Sequence, residues 1–266
     1  MIQGRKMGPV LLLVALCRTV HNLASPRTSP IHCQTIKKFI LAKNCAELYN
    51  CGHRISGVYT IDPQDGSGPF NVLCDQLTDG GGWTVLQTRQ HSSVNFTRTL
   101  ADYKHGFGNF LPREVWLGLN KIYRLTRDKT KNRLRVELGV TANKTVYAEY
   151  AWFGIGDESS SYQLNIGNLL TKSTTATTKA TVGDSLSAHN NTLFGACNDV
   201  DEANHWWYIH NESNAGCGFL ANLNGVISLD GKEKANRIYW AFLNSSNAGN
   251  NSPIKTEMKI RPVDFS

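Results

Sequence analysis

Two cysteines and a glycine-rich turn lie close together early in the chain. Cys45 opens the stretch, Ser56–Ile61 reads as a strand, Cys74 lies in a second apolar run, and Gly80–Gly82 directly precede another apolar strand. Cysteines on both sides of a strand and a turn suit a local disulfide. Consecutive glycines suit backbone with positive φ or a close approach to another segment. This stretch therefore predicts a disulfide-stapled unit at the N-terminal end of the fold.

The first 24 residues have the pattern of a secretory signal. Arg5 and Lys6 precede an apolar run, Pro9–Cys17, that is too short to span a bilayer. Cleavage near Ala24 is predicted, and no other stretch has the pattern of a membrane anchor. We therefore expect a secreted, extracellular protein.

The charge balance gives little support for nucleic-acid binding. The chain carries 28 Lys and Arg against 21 Asp and Glu, a net charge of +7, and part of this excess lies in the predicted signal. The densest basic stretch, Arg124–Arg135, predicts a solvated loop that leads into a strand, with polyanion contact as the alternative.

An even number of cysteines remains once Cys17 leaves with the signal, which indicates disulfides formed in an oxidising compartment. Sequence alone leaves about fifteen pairings open for six cysteines. The six are Cys33, Cys45, Cys51, Cys74, Cys197 and Cys217. Sequons for N-glycosylation agree with secretion and mark candidate surface positions. They are Asn95, Asn143, Asn190, Asn211, Asn244 and Asn250.

Periodicity predicts a mixed fold. The segment 111–123 places Val115, Leu119 and Ile122 on one helical face, with Pro112 at the helix start. Arg133–Leu138 alternates with period two, as a half-buried antiparallel strand does. A helix beside alternating strands, without repeating βαβ units, favours the α+β class.

Several motifs together resemble the fibrinogen C-terminal domain, the globular module of fibrinogen, ficolins, tachylectins, angiopoietins and tenascins. The motifs are the Cys45–Thr84 stretch, Tyr103–Gly108, Glu114–Gly118, Gly183–Leu186, His189–Asn191, Asn222–Gly225 and Lys255–Pro262. The resemblance implies a disulfide-stapled N-terminal subdomain, a central twisted antiparallel sheet with flanking helices, and a loop-rich C-terminal ligand and calcium region. We therefore divide the chain into a signal (1–24), a short segment (25–43) and one domain (44–266).

The resemblance also implies disulfide pairs. It pairs Cys45 with Cys74 and Cys197 with Cys217, which leaves Cys33 and Cys51 to pair with each other or to link chains in a homo-oligomer.

A calcium site is implied in the acidic loop that begins at Asn198. With a one-residue insertion relative to the family motif, Asp199 and Asp201 take the two aspartate positions, and the carbonyls of Ala203 and His205 take the backbone positions. The alternative is a solvated acidic loop without metal.

The ligand pocket implied by the family follows this loop. Trp206 and Trp207 are predicted to pack in the core, and His205, Tyr208, His210 and Tyr239 are the candidate ligand-binding residues. The chain lacks the cysteine that family members place between the acidic loop and the tryptophans, so it departs from the family pattern at the backbone that supports the acetyl pocket, while a pocket at this place is still expected.

No catalytic motif is recognisable, so an enzyme is not expected. The resemblance to ficolins and tachylectins implies a calcium-assisted, innate-immunity lectin that binds glycans, including acetylated sugars, on microbial or host surfaces. The second hypothesis is a protein ligand or matrix component that binds a cell-surface receptor, as in angiopoietins and tenascins. The expected partners are thus glycans or cell-surface glycoproteins.

Overall fold

The computed structural model describes residues 41–128, 131–172, 181–197, 203–210, 217–227, 237–244 and 251–266. The predicted signal, Cys33, Asn198, Asp199, Asp201, Asn211 and Asn250 lie outside these ranges. Three α-helices are found in the described part: α1 (Cys45–Asn50), α2 (Leu100–His105) and α3 (Leu119–Thr126). The strands are β1 (Gly57–Ile61), β2 (Phe70–Asp75), β3 (Trp83–Arg89), β4 (Phe107–Asn109), β5 (Glu114–Trp116), β6 (Asn132–Thr141), β7 (Lys144–Tyr150), β8 (Phe153–Ile155), β9 (Leu164–Ile166), β10 (Leu169–Lys172), β11 (Thr181–Val182), β12 (Ile209–His210), β13 (Cys217–Gly218), β14 (Ala221–Asn222), β15 (Tyr239–Trp240), β16 (Leu243–Asn244) and β17 (Lys255–Pro262).

The central sheet is antiparallel and has the order β1-β2-β3-β17-β6-β7-β10, with β5 pairing to β3 and to β4. Strand β17 comes last in the sequence but lies in the middle of the sheet, between β3 and β6. The predicted α+β fold, with an antiparallel sheet and few helices, is confirmed.

The two faces of the sheet follow from the alternation along β17. Met258 and Ile260 lie opposite Val136 and Leu134 of β6 and point into the apolar core. The intervening residues of β17 are charged, and Lys259 is fully buried among carboxylates on the other face. The period-two pattern of β6 predicted the apolar face, whereas the charged face is more buried than that of a half-buried strand, since Arg135 is 8% exposed.

The N-terminal unit has the predicted staple. Cys45 and Cys74 are disulfide-bonded with a Cα–Cα distance of 5.5 Å. Gly80, Gly81 and Gly82 all have positive φ, and a Cβ on Gly81 would lie 2.6 Å from the carbonyl oxygen of Gln76. Positive φ therefore favours glycine at all three positions, and close approach of the backbone also requires it at Gly81.

The predicted helix over 111–123 is wrong in its first half. Residues Glu114–Trp116 form strand β5, and the helix begins only at Leu119. Gly118 has φ +104, and a Cβ there would lie 2.6 Å from the backbone of His105, so the chain turns sharply at this glycine. Leu119 and Ile122 are buried as expected.

Three cations of the basic stretch near β6 form ion pairs within the molecule. Arg124 forms two hydrogen bonds to Asp65, Lys131 pairs with Asp128, and Arg135 pairs with Glu137 and Glu149. These ion pairs favour a structural role for the stretch over polyanion contact.

Candidate ligand-binding surface

The segment that follows the acidic loop is held from both sides. Arg98 N donates to Ala203 O, and Gly195 and Trp206 exchange backbone hydrogen bonds of 3.0 Å. Trp206 and Trp207 are fully buried, and Trp207 Nε1 donates to Tyr162 O at 2.8 Å. The prediction that both tryptophans belong to the core is confirmed.

His205 is also part of the interior. Its ring is 3% exposed, lies 5.0 Å from the ring of Tyr103, and is stacked on Phe194. Its Nδ1 lies 3.0 Å from Ala203 O. The imidazole therefore has no direct access to a ligand.

Tyr208 is similarly enclosed. Its hydroxyl donates to Asn204 O at 2.9 Å and accepts from Asn222 Nδ2 at 3.1 Å. Burial raises the pKa of Tyr208 to about 12, so the phenol stays protonated. The hydroxyl is a structural link between two loops.

Tyr239 lies in a more open place, beside an aromatic residue that the sequence analysis missed. Phe219 and Tyr239 are both partly exposed, with ring centroids 5.6 Å apart in an edge-to-face arrangement, and Tyr208 lies beneath Phe219 at 6.0 Å. We call Phe219 and Tyr239 the aromatic ledge. The sequence feature that could have identified Phe219 as a site residue is its position between Cys217 and the Asn222–Gly225 motif.

Apolar side chains continue along the segments that carry the ledge. Strand β14 pairs with β15, Ala241 N donates to Leu220 O, and Ile238 N donates to Val226 O. On these segments Phe242 is 53% exposed and Val226 is 36% exposed. His210 pairs through its backbone with Cys217, close to Phe219 in the chain, and its side chain is not described.

The Asn222–Gly225 loop below the ledge is tied to the central sheet. Gln87 Nε2 donates to Leu223 O at 2.7 Å, and Arg89 Nη1 donates to Gly225 O at 2.7 Å. Burial lowers the pKa of Arg89 to about 10, which leaves it charged at neutral pH. Asn224 Nδ2 then donates to His205 O, so the loop also supports the buried 203–208 segment.

A buried histidine links the same parts of the fold. The Nδ1 of His189 lies 2.5 Å from Trp207 O, and its Nε2 accepts hydrogen bonds from Leu220 N and Ala221 N, each at 3.0 Å. An acceptor Nε2 requires the neutral imidazole with the proton on Nδ1. Burial accordingly lowers the pKa of His189.

A family model for the C-terminal globular domain of fibrinogen beta and gamma chains matches residues 41–263. The chain belongs to the fibrinogen C-terminal domain family. Mouse angiopoietin-related protein 7 is 36% identical over 84% of this chain and 64% of its own length. The chain thus spans just under two thirds of that relative.

Solved structures of fibrinogen-type domains agree with the fold. The fibrinogen-like globe domain of human ANGPTL6 is 34% identical, with a TM-score of 0.68 over 83% of this chain and 95% of that chain. Lamprey fibrin D-dimer, solved with the peptide Gly-His-Arg-Pro-amide, is 28% identical, with a TM-score of 0.69 over 85% of this chain and 75% of that chain. The similarity to the angiopoietin-related proteins favours the receptor-ligand hypothesis over the lectin hypothesis.

The disulfides implied by the family are confirmed where they are described. Cys197 and Cys217 are bonded, with a Cα–Cα distance of 5.4 Å, and this bond joins the start of the acidic loop to the strand that leads to the ledge. Cys51 is also disulfide-bonded. Its partner lies outside the described residues.

The calcium site expected from the family fits only in part. Ala203 O already accepts from Arg98 N and lies within hydrogen-bond distance of His205 Nδ1, which occupies both lone pairs of a carbonyl. His205 O accepts a hydrogen bond from Asn224 Nδ2 at 2.9 Å. Within the described ranges no group of three or more His, Cys, Asp or Glu side chains is placed to hold a metal. Calcium binding remains a prediction that depends on Asp199 and Asp201.

Three of the candidate glycosylation sites have side chains in the described ranges, and all three are exposed: Asn95, Asn143 and Asn190. Asn244 lies in β16, and its side chain is not described. None of the helices in the described residues has the length and apolarity that crossing a membrane requires.

Proposed function

We propose that this protein is a secreted extracellular ligand or matrix component that binds a cell-surface protein through the aromatic ledge. The observation that carries the proposal is the contrast between buried and accessible residues at this end of the domain. His205 and Tyr208, the expected pocket residues, are buried and make their contacts inside the fold. Phe219 and Tyr239 remain partly exposed. What faces solvent is an apolar and aromatic surface supported by a rigid loop.

Such a surface suits a protein partner better than a monosaccharide. Protein interfaces are enriched in aromatic residues, and their energetic centres are tyrosine, tryptophan and arginine on well-supported backbone. The ledge is supported from below by Tyr208 and laterally by the hydrogen bonds of β14 to β15. The peptide-bound lamprey fibrin structure supports the proposal by showing that a relative of similar fold was solved with a peptide ligand.

The signal pattern at residues 1–24 supports secretion, and exposed sequons agree with it. Calcium at Asp199 and Asp201 would act in this proposal by fixing the loop next to the 203–208 segment.

The test is binding of the purified chain to an array of cell-surface ectodomains, in parallel with a glycan array. We expect a specific ectodomain to bind, and we expect Phe219→Ala or Tyr239→Ala to weaken the affinity by about 2 kcal/mol, roughly thirtyfold. Leu170→Ala is the matched control, because Leu170 is 48% exposed on β10 and belongs to no part of the ledge.

Two results would refute the proposal. One is EDTA-sensitive binding to acetylated glycans without any ectodomain ligand, which would restore the lectin hypothesis. The other is an ectodomain whose affinity is unchanged by both ledge substitutions.

A further inference from the structure

The polar face of the central sheet carries a groove of about 430 Å³, a volume typical of ligand sites. Its floor is formed by charged residues of β6 and β17, with Asp75 of β2 at one side. Leu77 and Arg113, which lies in the turn between β4 and β5, also line the groove. The residues of the aromatic ledge do not line this groove.

The carboxylates of the groove already form ion pairs and hydrogen bonds within the protein. Asp75, Glu137 and Glu257 each lie 2.7–3.1 Å from Lys259 Nζ. Glu137 also pairs with Arg135, and the second oxygen of Asp75 accepts from the backbone of residues 77 and 78. These three acids are largely buried, so they offer little to an incoming ligand.

The cations at the groove surface are different. Lys255 is partly exposed and has no ion pair or hydrogen bond from its ammonium to any described residue. Arg113 gives one N–H to Glu257 at 2.7 Å, but its side chain is 40% exposed and a guanidinium has further donors. The accessible charged groups of the groove are therefore hydrogen-bond donors, which calls for an anionic acceptor.

One exposed apolar residue lines the groove. Leu77 is 75% exposed and is among the most exposed large hydrophobic side chains of the described residues. Leu111 and Ile55 are also strongly exposed, and each is close in sequence to a lining residue, Arg113 and Ser56 respectively. An exposed leucine beside a groove is stabilised when an apolar group of a ligand covers it.

We propose that this groove binds an acidic segment of a partner protein, in which a carboxylate meets Lys255 and Arg113 and an aliphatic side chain of the same segment covers Leu77. A bidentate contact to Arg113 would set the position of the carboxylate. This site is separate from the aromatic ledge, and its test does not depend on the proposed receptor.

A sulfated glycan fits the groove less well. A polyanion carries charges at short intervals, whereas Lys255 and Arg113 are the accessible cations among the lining residues. The exposed side chain of Leu77 also gives a sulfated sugar no favourable contact. A peptide can place one carboxylate at the two cations and an apolar side chain against Leu77.

The experiment selects a random dodecapeptide phage library on the full chain and then titrates a labelled selected peptide. We expect selected peptides to contain Asp or Glu beside Leu, Ile or Phe. We expect Lys255→Gln and Leu77→Ser each to weaken binding about tenfold or more. Arg127→Gln and Leu193→Ser are matched controls, since both residues are exposed away from the groove lining. Both should bind normally, as should Phe219→Ala.

Lys255→Gln and Leu77→Ser alter accessible side chains. A melting temperature close to that of the wild type shows that each variant remains folded. Selected peptides without acids, or affinities that neither groove substitution changes, would overturn the proposal. It would equally be overturned by retention on heparin-agarose that Lys255→Gln abolishes without any selected peptide. A dimer in sedimentation velocity that Leu77→Ser dissociates would assign the groove to a second copy of the chain instead.

Discussion

Replacing Lys259 by Met tests the charged face of the sheet most directly. The side chain is fully buried, and its ammonium is shared by Asp75 at 2.7 Å and by Glu137 and Glu257 at 3.1 Å. Methionine has a similar volume and no charge. Two of the carboxylates keep another cation, Arg135 or Arg113, whereas Asp75 keeps hydrogen bonds from the backbone of residues 77 and 78 and from the Thr78 side chain. We therefore expect the uncompensated charge of Asp75 to account for most of the lost free energy of unfolding.

The magnitude follows from the burial of these groups. Removing one partner of a buried ion pair costs about 3–5 kcal/mol, because the other charge stays desolvated and unpaired. Burial by itself would raise the pKa of Asp75, but Lys259 holds it well below the usual range. For a domain of this size a loss of 3–5 kcal/mol corresponds to about 10 °C in Tm.

The assay is urea unfolding at pH 7 with the disulfides intact, followed by fluorescence of the buried tryptophans. A double-mutant cycle adds Asp75→Asn, and we expect a coupling free energy of about 1–3 kcal/mol because the second change removes the orphaned charge. Lys255→Met is the control on the same strand and face, and we expect it to change stability by about 0.5 kcal/mol or less. Two results would refute the electrostatic account of this face. One is a free energy of unfolding for Lys259→Met within about 1 kcal/mol of the wild type, and the other is additivity of the two substitutions in the cycle.

Three further predictions concern pH, calcium and glycosylation. Burial lowers the pKa of His189 in the folded state, so its contribution to stability is complete above its ordinary pKa and is lost as the pH falls through the lowered one. The free energy of unfolding should thus fall below about pH 6.5 by up to about 1.4 kcal/mol per pH unit, and an equal pH dependence in His189→Gln would contradict this origin. Calcium should raise the Tm of the wild type but not of Asp199→Ala combined with Asp201→Ala, and an unchanged response in that variant would place any calcium elsewhere. Asn143 is exposed in the turn between β6 and β7, so Asn143→Gln should remove one glycan from the secreted protein without changing stability by more than about 0.5 kcal/mol. Equal gel mobility of the two proteins would show that the sequon is unused.

Local patterns predicted much of the fold. The alternation of Arg133–Leu138 predicted a strand with one apolar and one charged face, and the structure has both faces. The prediction succeeds because successive side chains of a strand point to opposite faces whatever the rest of the fold is. The helix expected over 111–123 failed because Val115, Leu119 and Ile122 also fit a strand followed by a sharp turn. The pairing of Glu114–Trp116 with β3 and β4, and the close approach of Gly118 to the backbone of His105, decide for the strand and turn.

The candidate site was harder to predict because its accessibility depends on contacts between residues that are far apart in the chain. His205 and Tyr208 have the chemistry of pocket residues, and nothing in their own sequence shows that Tyr103, Phe194 and Asn222 enclose them. Phe219 was missed because partial exposure depends on what packs around a side chain.

The sequence by itself determined the family, the staple of Cys45 to Cys74 and the need for three glycines before β3, because these features are local or are shared with relatives along the chain. Tertiary structure alone decided which polar groups remain accessible. Asp75 and Lys259 are separated by 184 positions and meet only because the last strand inserts into the middle of the sheet. That insertion pairs the acids of the groove with Lys259, and it is a consequence of strand order that no local pattern encodes.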